Sequence, residues 1–172
     1  MDRRLIFKGR KISLFLAEER LPNGHTVQRE VVEHPGAVVV LPILPDGRVL
    51  LENHYRFAVG GNLIEAVAGT LQPGEDPVEC AKRELLEETG FVAEEIVHLG
   101  DFYSSPGVMT ELMRAFVAKG LRKAERRLED DEILEPFEVS FDEAVKWARC
   151  GKIKDAKTIA VLFLALDHRG KE

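Results

Sequence analysis

The run Ala37-Val38-Val39-Val40-Leu41 is apolar at every position. A half-exposed strand would alternate apolar and polar residues, so this run predicts a strand covered on both faces. A strand of that kind needs a packed layer above and below its sheet. The flanking sequence supplies further β-structure. Residues 12–16 alternate in part, Pro22-Asn23-Gly24 is a turn signal, and Thr26–Glu33 is rich in β-branched residues. Pro45-Asp46-Gly47 turns the chain into residues 48–52, making a hairpin with the apolar run. More strands are expected near residues 96–103, 112–118 and 137–139.

Three helices are expected between and after these strands. The first has Asp76 as N-cap and Pro77 in the first helical position, where a missing N–H does no harm. It should end at Thr89, with Gly90 left-handed beyond it. The second starts at Ser140, which pairs with Glu143 as a capping box, and stops at Gly151. The third runs from Asp155 to about His168, with Ile159, Leu162, Phe163 and Leu166 on one face. Strands and few helices in this order indicate an α+β chain, arranged as an α/β/α sandwich.

Composition narrows the function. The chain of 172 residues suits one core, and its formal charge of −6 argues against nucleic acid or an anionic membrane as partner. An acidic protein that handles phosphates would need metal ions to bring the two together. No apolar run approaches the ~20 residues that span a bilayer, and the N-terminus lacks the pattern of a signal peptide, so a cytoplasmic location is expected. Two cysteines, Cys80 and Cys150, are too few for a disulfide framework. Both fall within expected helices beside apolar residues and are read as buried free thiols.

The segment 69–91, GTLQPGEDPVECAKRELLEETGF, carries the chemistry. On a helix, Glu84 lies three residues from Glu87 and four from Glu88, so all three project from neighbouring positions. Like charges at this spacing repel, and near a helix C-terminus the dipole opposes them too. Arg83, four residues before Glu87, offsets part of the cost. The plain reading is a solvated acidic face. The chemical reading is a compensating cation, and clustered carboxylate oxygens suit Mg²⁺ or Mn²⁺ bridged to substrate phosphates. As an exposed cluster, it should tolerate Glu→Gln changes without loss of the fold.

The same segment fills every fixed position of the Nudix box: Gly69, Glu75, Arg83-Glu84, apolar Leu85, Glu87-Glu88, Gly90 and apolar Phe91, at the box's spacings. The chain therefore resembles the Nudix hydrolases. The resemblance implies a Nudix fold, with the box helix held on a mixed sheet, and cleavage of a diphosphate bridge in a nucleoside diphosphate linked to another group. It implies Glu84 and Glu88 as metal ligands, Glu87 as a further ligand or catalytic support, Glu75 as an outer glutamate, and Arg83 as the residue orienting the glutamates.

Outside the box the chain resembles the ADP-ribose pyrophosphatase branch over most of residues 26–168. Tyr55-Arg56 and the stretch Leu63-Ile64-Glu65-Ala66-Val67-Ala68-Gly69 look like the branch's QxR…LExPAG pattern, with Asn53 where Gln is common and Val67 where Pro is common. This likeness implies Ala68 as a metal ligand through its carbonyl, and Arg56 and Glu65 as residues that help hold the substrate. Ser105-Pro106-Gly107 places Pro106 16 positions beyond Gly90, the branch's own spacing. It implies substrate contacts at Pro106, Gly107 and Glu111. In the acidic stretch 128–133 the alignment favours Glu129 as general base and Asp131 as a metal-side carboxylate, with Glu132 a near alternative.

The implied cofactor is Mg²⁺, with Mn²⁺ able to substitute. ADP-ribose, cut to AMP and ribose 5-phosphate, is the first substrate expected. GDP-mannose, another nucleoside diphosphate sugar or a dinucleotide pyrophosphate is the alternative, and a binding module without turnover is a reading of a different kind. Residues 1–35 are expected to form an N-terminal antiparallel sheet, and residues 36–172 the hydrolase domain. Leu5, Ile6, Phe7, Ile12, Leu14, Phe15 and Leu16 make the N-terminal segment too apolar for a solvated tail. Branch members exchange this sheet between subunits, which implies a homodimer.

Overall fold

The computed structural model describes residues 2–128 and 133–170. The chain opens with β1 (Asp2–Lys8), β2 (Ser13–Arg20), β3 (Thr26–Glu33), β4 (Ala37–Pro42), β5 (Arg48–Arg56), β6 (Gly61–Glu65) and β7 (Val67–Thr70). Helix α1 (Pro77–Thr89) follows, then β8 (Phe91–Val92), β9 (Glu95–Tyr103), β10 (Leu112–Lys119) and β11 (Arg122–Lys123). The chain closes with β12 (Leu134–Ser140), α2 (Phe141–Arg149) and α3 (Ala156–Arg169).

The apolar run is the centre of the molecule. All six residues of β4 are buried. Its side chains alternate between two cores, as the strand period requires. Val38 and Val40 pack with Cys80, Ala81 and Leu85 of α1. Val39 and Leu41 pack with Val145 of α2 and Val161 and Leu162 of α3. Each fully buried Val or Leu contributes roughly 1.5–3 kcal/mol from area removed from water. The sheet β7-β4-β10-β9 thus has α1 on one face and α2 with α3 on the other. It is mixed, because β4 and β10 are parallel while the other pairs are antiparallel. A second sheet, β12-β5-β6, is antiparallel throughout. The α/β/α sandwich expected from the sequence is the architecture observed.

The helix ends follow the sequence closely. Asp76 Oδ1 accepts from Val78 N at 2.8 Å and from Glu79 N at 3.3 Å, capping α1. Gly90 closes it at φ 71°, a conformation that L side chains rarely adopt. Two expectations need correction. Ser140 Oγ accepts from Glu143 N, but the Glu143 carboxylate accepts from Trp147 Nε1 at 2.6 Å and faces Lys146, so only half of the capping box forms. Cys80 is buried as expected, whereas Cys150 is exposed, because it caps the solvent end of α2.

Strands β1, β2 and β3 form an antiparallel N-terminal sheet. It is joined to the rest through Val32, whose N–H donates to Val108 O at 2.8 Å and whose carbonyl accepts from Thr110 N at 3.0 Å. None of its residues belongs to either described core. Every residue of β1 is exposed, Leu5, Ile6 and Phe7 by about half their surface. Among the described residues no helix is long and apolar enough to cross a membrane.

Candidate active site

Helix α1 packs beside β7, and the cleft opens between its last two turns and the strand's backbone. Gly69 sets the closeness of that approach: a Cβ there would lie 1.8 Å from Cδ and Oε1 of Glu84. Only a residue without a side chain lets the Glu84 carboxylate rest against the strand. Glu88, one turn on, accepts from Ala68 N at 3.1 Å through Oε2. The carboxylates are thus held against the strand from which the Ala68 carbonyl is expected to act.

Arg83 organises the cluster. Its Nε and Nη2 bind the two oxygens of Glu75 at 2.8 and 3.0 Å, while Nη1 donates to Glu84 at 2.7 Å and to Glu87 at 3.0 Å. The bidentate guanidinium holds Glu75 at a pKa of about 2, far below the usual carboxylate range. These same contacts raise the guanidinium's own pKa. The solvated acidic face is ruled out by burial, since Glu84 is 8% exposed and Glu88 1%. The expectation of a freely exchangeable exposed cluster falls with it: these carboxylates sit between helix and sheet.

A second cluster faces the first. Arg56, at the end of β5, binds Glu65 on β6 through Nε at 2.8 Å and Nη2 at 2.6 Å. Lys157, at the start of α3, also donates to Glu65, and to Asp155 at 2.8 Å. Burial pushes the Glu65 carboxyl up, yet the bonds from Arg56 and Lys157 outweigh it and leave its pKa lowered. Thr158 fixes the helix start, accepting from Ala66 N at 2.8 Å and donating to Asp155.

The two clusters border one cleft of about 640 Å³, lined by Arg56, Ala68, Gly69, Glu84, Glu87, Glu111 and Lys157 among others. Glu111 lies 3.6 Å from His34 Nε2. Pro106 and Gly107 do not line this cleft. They border a separate cavity of about 350 Å³ between the N-terminal sheet and the loop before β10. Glu129, Asp131 and Glu132 lie outside the described residues.

Sequence reasoning missed Lys157, and also Arg10 and Lys11, which reach the cleft from the β1–β2 turn. It also placed the QxR register one residue early. Counted back from Arg56, the first position is His54, which is buried on the inward face with Arg56, whereas Asn53 is exposed on the other. The period of two along a strand would have found this.

The donor set fits a divalent metal. At the fixed positions of the box, four glutamates stand against one guanidinium, and every carboxylate donor is a hard oxygen. The model of the NUDIX domain family matches residues 32–162. The chain belongs to the Nudix hydrolase family. Nudix hydrolases generally use a divalent metal, in keeping with the carboxylate-rich helix. Several relatives match nearly the whole chain. A Bacillus methanolicus protein described as a methanol dehydrogenase activator is 42% identical over 95% of this chain and 90% of its own. The ADP-ribose pyrophosphatase of Bacillus subtilis (strain 168) is 38% identical over 94% of this chain and 89% of its own. A GDP-mannose pyrophosphatase of Yersinia enterocolitica is 38% identical over the same two shares, 94% and 89%. A solved structure described as an ADP compounds hydrolase shares the fold, with a TM-score of 0.86 at 22% identity over 99% of this chain and 94% of that one.

Proposed function

We propose that this enzyme hydrolyses ADP-ribose to AMP and ribose 5-phosphate with Mg²⁺, Mn²⁺ being able to replace it. The observation that carries the reading is the cleft itself, with box carboxylates on one wall and the Arg56–Glu65–Lys157 cluster on the other. A diphosphate in it would face metal-binding oxygens on one side and cationic donors on the other.

Glu84 and Glu88, with the Ala68 carbonyl, would hold the cation, which supplies charge neutralisation at the bridge and acidifies an attacking water. Arg83 keeps Glu84 and Glu87 at fixed positions through the bonds described above. Glu65, locked by Arg56 and Lys157, keeps both cations oriented toward the diphosphate. Glu111 would meet the distal ribose, with Pro106 and Gly107 shaping the loop that carries it. Glu129 would remove the water's proton, with Asp131 beside the metal. The complete set of box glutamates supports turnover over a binding role.

The 38% identity to a GDP-mannose pyrophosphatase supports a second reading, hydrolysis of a nucleoside diphosphate sugar with another base. Release of AMP or GMP from a panel of ADP-ribose, GDP-mannose and dinucleotides, with and without Mg²⁺, separates the two. Turnover confined to GDP-mannose would remove the first.

The exposed apolar strand β1, on a sheet outside both cores, supports a homodimer in which a second copy covers it. A monomeric mass by light scattering at micromolar concentration would exclude that. The two free cysteines suit a cytoplasmic enzyme, with residues 1–35 serving assembly and 36–172 catalysis.

A further inference from the structure

Behind the cleft, two buried side chains that the proposed hydrolysis leaves unused, Glu52 and His54, meet Glu88. Glu52 and His54 point to the same inward face of β5, and Glu88 reaches them from the last turn of α1. All three are buried, at 1%, 4% and 1% exposure. One ligand atom from each lies within 4.8 Å of the others. Neither Glu52 nor His54 borders the cleft, so this group sits on the interior side of Glu88.

The imidazole Nδ1 is fully buried, makes no hydrogen bond, and faces Glu52 Oε2 at 4.0 Å. A buried ring nitrogen directed into a carboxylate pair is what a metal ligand requires. Bonds of about 2.0–2.2 Å put three ligand atoms on one ion roughly 3–4 Å apart, so contraction by about an ångström would close the set. An imidazole with two carboxylates favours first-row transition ions, whereas Mg²⁺ prefers oxygen ligands and retains its waters.

We propose that Glu52, His54 and Glu88 form a second, interior metal site that takes Mn²⁺ or Zn²⁺ in preference to Mg²⁺. Glu88 would serve both this site and the box, coupling an interior ion to the catalytic carboxylates. The assignment stands apart from the identity of the diphosphate substrate.

The test uses the full chain stripped of metal, then given one equivalent of Mn²⁺ in excess Mg²⁺, which fills the all-oxygen positions. Pulsed electron paramagnetic resonance should detect a ¹⁴N nucleus coupled to the retained Mn²⁺. His54→Gln should abolish that coupling and weaken Mn²⁺ retention at least about tenfold. Mg²⁺ binding, followed by calorimetry, should be nearly unchanged in this variant. Absence of nitrogen coupling in the unaltered protein overturns the site, as does coupling that survives in folded His54→Gln. If that variant does not fold, Glu52→Gln decides, since undiminished Mn²⁺ retention there also overturns the proposal.

Discussion

The two walls of the cleft differ in their balance of charge. On the box wall, Glu75, Glu84 and Glu87 gather around the guanidinium of Arg83, with the buried Glu88 against Ala68 N. On the facing wall, one buried carboxylate, Glu65, receives two cations, Arg56 and Lys157. The first cluster carries more negative charge than its cation can offset, so its geometry is completed by an added positive ion. The second is balanced, Arg56 and Lys157 against Glu65 and Asp155, so it holds its own side chains in place. A balanced ion-pair network holds a fold together, while an unbalanced one marks where a ligand belongs.

The largest expected effect tests the box wall. Glu84→Gln and Glu88→Gln should each lower kcat by at least about 100-fold, toward 10³, by loosening the group that stabilises charge in the transition state. Because both side chains are buried, unfolding curves must accompany the kinetics. A variant that stays folded and keeps near-normal turnover would remove its residue from the metal site. Gly69→Ala probes the same wall without touching charge. Its methyl would collide with Glu84 at 1.8 Å, displacing the carboxylate by more than the tolerance of a positioned group. A loss of roughly 30- to 100-fold in kcat is expected. Wild-type kinetics in the alanine variant would mean that the Glu84 position is not critical.

The facing wall should respond in stability before activity. Glu65→Gln leaves Arg56 and Lys157 without their shared anion. Fully buried pairs broken in this way cost about 3–5 kcal/mol, but Arg56 is partly exposed, so about 2 kcal/mol is expected. Urea unfolding at neutral pH measures it, and a cost below about 0.5 kcal/mol would show the wall to be no structural unit.

The box wall was legible in the sequence because its geometry is local. Residues 83, 84, 87 and 88 fall within two turns of one helix, and the caps at Asp76 and Gly90 fix where that helix lies. The apolar run told of β4 for the same reason, since its burial on both faces is written in consecutive residues. The facing wall is tertiary. Lys157 meets Glu65 across 92 positions, and no local pattern announces the contact. Strands β6 and β7 escaped notice too. Both are short pieces with no clean alternation. Cys150 was misread because a terminal helical residue beside apolar neighbours can still face water.

The smallest expected effect concerns the bond that joins Glu75 to Arg83. Glu75 has a folded pKa of about 2, against an ordinary value of 4.5, chiefly because Arg83 donates twice to it. A carboxylate with a depressed folded pKa stabilises the native state fully above its unfolded pKa, and loses that contribution as pH falls through the folded value. The window is therefore about pH 4.5 down to 2. Within it, the metal-free wild type should lose its advantage over Glu75→Gln, so that their melting temperatures converge on acidification and stay separated by a constant amount above about pH 5. Glu75 keeps some contact with solvent, which screens the pair and keeps the separation small. Added salt should shrink it further at neutral pH, whereas a bond locked away from water would be indifferent to salt. A separation that does not change between pH 5 and pH 2 would mean that Arg83 is held by Glu84 and Glu87 alone, with Glu75 a bystander to the charge imbalance on that wall.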